Sequence, residues 1–138
     1  MKKLYIKIGG IINLITALIH AFAGQNDLVN PLQNSSLTVQ QKAEWLGVWH
    51  MASILLFLGS YVILKSGFFK GSNSSIPQLR FLGILYVLFG FPFIISGLYF
   101  SVLAPQWFLL MPIGILLFLG VKETHNQDRV SVDSKRKS

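Results

Sequence analysis

Residues 9–24 read GGIINLITALIHAFAG. Within this stretch Gly9, Asn13, Thr16, His20 and Gly24 recur at steps of four, three, four and four. On a helix they fall within about 80° of one another. The other positions are Ile, Leu, Ala, Phe and a second glycine. An apolar run with one polar, small-residue stripe is the pattern of a membrane helix. The stripe is expected to face other helices and the remaining surface to face lipid.

Working outward, three more apolar runs appear. The first span covers about residues 4–24, and the others cover about 45–64, 81–101 and 105–121. Each is near the ~20 residues a helix needs to cross ~30 Å of hydrocarbon, the last being shortest. Backbone polar groups in lipid must be satisfied internally, so runs of this kind are read as helices. A mean hydropathy of +0.56 with only 12% charged residues is too apolar for a water-soluble domain. The expected fold is all-α: a polytopic four-transmembrane-helix bundle over residues 1–122. A polar tail, 123–138, is expected to lack regular structure. The absence of cysteine removes disulfides, thiolate metal sites and lipoprotein anchoring.

The formal charge of +7 is placed asymmetrically. Eleven of the twelve Lys and Arg fall at the N-terminus, in the connection between spans two and three, or in the tail; only Lys42 lies elsewhere. The positive-inside rule then puts both termini in the cytoplasm, as expected for a bacterial inner-membrane protein. The charge suits anionic lipid heads rather than nucleic acid. Trp45, Trp49, Tyr99 and Trp107 lie at the outer ends of their spans, where aromatic belts form.

The N-terminus has a rival reading. Met-Lys-Lys, an apolar run and Ala21-Phe22-Ala23 resemble a signal peptide with a small-residue cleavage site. The polar stripe and Lys7 argue for retention, because a signal core needs neither. In the outer connection, 25–44, Thr38 and Gln41 fit a capping box that starts the second helix near Val39. The inner loop is Gly/Ser-rich around residues 71–75 and is expected to be flexible. Pro105 suits the first turn of the fourth span, and Pro92 and Pro112 mark expected kinks.

The chemistry available is sparse. Asp27, Glu44, Glu123, Asp128 and Asp133 all lie outside the spans, which argues against a buried carboxylate relay. Neither a His-Glu-x-x-His pair, a phosphate-binding loop nor a nucleophile elbow is present. Histidine remains. His20 and His50 lie at similar depth in consecutive spans, and His50, Ser53, Phe57 and Ser60 form a second stripe within about 80°. Asn13, Thr16, His20, His50 and Ser53 are therefore the candidate ligand-binding residues. They would form an outward-facing polar pocket between the first two spans for a small amphipathic molecule. Against this stands a structural or accessory subunit whose stripes only pack helices. A second copy of the chain or other membrane proteins would then be its partners. A third reading is bis-histidine haem, or a divalent metal held by His20 and His50 with Asp27 or Glu44. In span three, Gly83, Tyr86, Gly90, Phe93 and Gly97 share a face and are expected to serve helix packing. No nucleophile–base pair can be named for an enzyme.

The pairing of residues 17–24, ALIHAFAG, with residues 44–50, EWLGVWH, resembles small four-span bacterial inner-membrane proteins. In these, span one ends with a His and span two begins with a Trp-His pair. The resemblance covers spans one and two and the rest only by layout, and it implies the fold without an activity. In size and span count the chain is also similar to DoxX-like proteins. It is unlike small multidrug resistance transporters, whose first span carries a membrane-embedded Glu; here Asn13 and His20 stand instead.

Overall fold

The structure is a computed structural model that describes residues 3–69 and 76–136, with side chains of the last element only as far as Val121. The Gly/Ser-rich stretch 71–75 lies outside the described residues. Among the described residues every regular element is helical. Helix α1 (Lys3–Gly24) passes without a break into a π-helical turn (Gln25–Val29) and a short helix α2 (Asn30–Gln33). Helix α3 spans Val39–Phe68, α4 spans Ile76–Phe100 and α5 spans Gln106–Arg136. The connection before α3 is therefore shorter than the sequence suggests. Helix runs through Asn30-Pro31, because Pro at the start of a helical segment gives up no needed hydrogen bond. The tail from residue 123 continues α5 as helix in the backbone, and its side chains lie outside the described residues.

The capping box forms as the spacing predicts. Gln41 N donates to Thr38 Oγ1, and Thr38 N donates to Gln41 Oε1, satisfying two otherwise orphaned groups at the start of α3. The turn between α4 and α5 closes by two bonds, Val102 N to Gly97 O (3.0 Å) and Ser101 N to Leu98 O (3.4 Å). This is a Schellman arrangement, and Ser101 takes the left-handed position at φ 54° that glycine usually fills.

Three helical runs are long and apolar enough to cross a membrane: Lys3–Gln33, Val39–Phe68 and Ile76–Phe100. The apolar part of α5, Gln106–Val121, is shorter. Large apolar side chains cover the outside of the bundle, among them Met51, Phe81, Ile95, Leu98 and Phe108. Water would not tolerate so continuous an apolar surface, and lipid does.

Inside, α1 packs along α3 and α5, and α5 packs along α4. Small residues set the spacing. A Cβ on Gly114 would stand 2.6 Å from Gly83 O and 2.7 Å from a Val87 methyl, so α4 and α5 cross backbone to backbone there. Below that crossing Ile6, Ile63, Leu79, Leu117 and Val121 form an apolar core. At the terminal end Lys3 Nζ donates to Phe69 O (3.2 Å), and Lys7 lies over the Phe68 ring. Both lysines tie the start of α1 to the end of α3.

Candidate functional site

The two halves of the bundle differ. At mid-height α1, α3 and α4 contribute to one polar layer. Asn13 of α1 is fully buried; its Nδ2 donates to Leu56 O (3.0 Å) and Ser60 Oγ (2.9 Å). Ser60 Oγ in turn donates to Leu56 O (2.8 Å). Tyr86 of α4 reaches across so that its hydroxyl lies against the backbone of Gly59, beside Asn13 Nδ2. Any Cβ at position 59 would fall on Tyr86 Oη, so glycine is required for the ring to enter. Neither Tyr86 Oη nor Asn13 Oδ1 has a hydrogen-bond partner among the described residues.

One turn beyond this layer, toward the end that carries α2, the helices part around a cavity of about 580 Å³. Its floor is Thr16, Leu56 and Phe89, each three or four residues along its helix from the polar layer, together with Leu110 of α5. The walls are almost entirely carbon, from Ile19, Ala52, Leu55, Pro92, Phe93 and Leu109. Polar side chains appear near the rim: His20, Asp27 and Gln106. Asp27 belongs to the π-helical turn, an irregularity often found at functional positions. Gln106 opens α5, and its Oε1 is buried without a partner among the described residues. A volume of this size suits a small ligand, for which ~300–1,000 Å³ is usual.

The sequence-derived candidates are distributed as follows. Asn13 meets Ser60 and Leu56 below the cavity floor. Thr16 lines the floor, but its hydroxyl bonds back to Ile12 O (2.9 Å). His20 lines the wall and stacks on Trp49, ring centroids 3.9 Å apart and 15° from parallel. Its Nε2 lies 3.4 Å from Trp49 O. Ser53 Oγ donates to Trp49 O (3.1 Å). His50 is exposed, outside the residues that line the cavity. The expected meeting of the two imidazoles is replaced by His20 on Trp49. Neighbouring positions on a helix point ~100° apart, so the face that presents Trp49 to α1 turns His50 away. Glu44 is exposed and accepts from Gln40 Nε2 (2.6 Å). Among the described residues no three of His, Cys, Asp and Glu come together as a metal site, so His20 and His50 are not joined by Asp27 or Glu44 in the set the sequence allows. The cavity also departs from the expected polar pocket between two spans, since four helices line it and apolar side chains dominate.

Trp49 reads from the sequence as an interfacial-belt residue and Tyr86 as a packing residue, and no motif marks Gln106. The Trp-His pair was the available signal for Trp49. For Tyr86 it was the small-residue stripe that admits the ring. Comparison with protein-family models, curated proteins and solved structures finds no match for this chain.

Proposed function

We propose that this protein is a four-span inner-membrane protein with both termini cytoplasmic, and that it binds a small amphipathic molecule in the cavity of its outer half. The positive-inside distribution of Lys and Arg supports the orientation. The observation that carries the function is the cavity itself: about 580 Å³, walled by carbon, with polar groups gathered near one edge. Such a space accepts an apolar body and a polar head together. Packing alone favours closing such a half-open space, since apolar walls left without contacts forfeit dispersion energy.

The test is saturable binding of a fluorescent apolar probe, N-phenylnaphthylamine, to protein in lipid nanodiscs. We expect one site per chain, lost on filling the cavity with Ala52→Phe or Leu109→Phe while helicity stays intact. Binding that never saturates, or that survives both substitutions, would sink the reading. A reporter fused to the tail that signals from outside the cytoplasm would sink the topology.

A further inference from the structure

We infer that the cavity selects an amphiphile with a single alkyl chain and a cationic head that donates hydrogen bonds, an alkylammonium. This rests on the proposal that the cavity binds ligands, and it adds the chemistry of the head. Two acceptor groups line the cavity without a partner among the described residues, one buried (Gln106) and one exposed at the rim (Asp27). Gln106 Oε1 is buried and lacks a partner among the described residues. Asp27 has no side-chain hydrogen bond or ion pair among the described residues. An amide oxygen accepts twice, so buried Gln106 Oε1 calls for a donor, and the ionised carboxylate of Asp27, which only accepts, favours a donor that is also a cation. A buried acceptor left unmade is costly, and a ligand that supplies the donor recovers that cost on binding.

Charge points the same way. Between Gln25 and Trp45 the chain carries Asp27, Glu44 and Lys42, a net −1 at this end of the bundle, while the basic residues Lys3, Lys7, Lys65 and Arg80 belong to the other end. A cation is favoured at the rim and an anion is disfavoured. The apolar walls take the chain, and the flat His20–Trp49 stack forms one side of the passage between tail and head.

The probes are terminally brominated dodecyl chains bearing ammonium, hydroxyl or carboxylate, since bromine quenches tryptophan. The protein is the full chain carrying Trp45→Phe and Trp107→Phe, which leaves Trp49 on the cavity wall as its one tryptophan. In nanodiscs the ammonium probe should quench Trp49 saturably and about tenfold more tightly than the hydroxyl probe, with the carboxylate weakest. Asp27→Asn should erase most of the preference for ammonium over hydroxyl. Gln106→Leu should weaken both donor-bearing probes. Equal binding of all three heads, a preference for carboxylate, or indifference to Asp27→Asn would overturn the inference while leaving the cavity a binding site. Absence of saturable quenching by any probe would instead remove the binding proposal beneath it.

Discussion

Replacing Gly59 by alanine should destabilise the bundle, and removing one oxygen from a different helix should undo the damage. The new Cβ would fall on Tyr86 Oη and would stand 3.3 Å from both Tyr86 Cζ and Asn13 Nδ2. Tyr86 is 0% exposed, so its ring cannot retreat without moving α4. Overpacking of this kind costs about 2–3 kcal/mol. Tyr86→Phe alone forfeits at most a weak contact of the hydroxyl with Asn13, because the hydroxyl makes no well-formed hydrogen bond among the described residues. It should be neutral to stabilising by about 1 kcal/mol, as a buried unsatisfied polar group is removed. With the oxygen gone, the remaining contacts of an alanine at 59 are only slightly tight, and its cost should fall below about 1 kcal/mol. The two substitutions should therefore couple by about 1.5–2 kcal/mol. Reversible unfolding in mixed micelles, followed by far-UV circular dichroism as sodium dodecyl sulfate is raised, measures all four proteins. If Gly59→Ala costs as much in the Tyr86→Phe background as in the wild type, the close approach of Tyr86 to α3 is wrong.

The other predictions use the same measurement. His20→Ala should cost about 1 kcal/mol through loss of the stack on Trp49, whereas His50→Ala should stay within about 0.5 kcal/mol because that side chain is exposed; equal effects would contradict the placement of the two imidazoles. Ser101→Gly should stabilise by about 1 kcal/mol, since a side chain at φ 54° carries strain that glycine lacks; a loss of stability would refute the left-handed turn. Gly114→Ala should be the most damaging small substitution, at least about 3 kcal/mol, because its Cβ meets the backbone oxygen of Gly83 and backbone cannot swing aside. A fully folded Gly114→Ala protein would show that α4 and α5 do not cross there.

Much of this architecture was legible because membrane helices announce themselves by length and polarity. The stripe through Gly9, Asn13 and Thr16 does face the bundle interior, and all three are buried. Thr38 and Gln41 form their capping box because the motif is local and needs nothing from the rest of the chain. The cavity was less legible. A helical wheel gives direction to within a residue or so, and one residue separates Trp49 from His50. Which of the two meets α1 depends on the roll of α3, and that is set by distant contacts such as Gly10 on Ile63 and Leu64. The same holds for Tyr86, whose reach to Gly59 depends on how closely α4 approaches α3. The contribution of α4 and α5 to the cavity came from tertiary spacing alone.

The run Lys3–Gln33 is unbroken for 31 residues. At 1.5 Å per residue it is about 45 Å long, against ~30 Å of hydrocarbon. It is therefore a rod longer than the slab it crosses, and its surplus carries the polar residues from Gln25 onward. A thicker bilayer must draw that surplus in or thicken unevenly around it, and a thinner one is met by tilting. Asp27 stands on the surplus, beyond the last turn that grips α3 through His20. The residue that such an adjustment would move relative to the bilayer surface is the carboxylate at the mouth of the cavity.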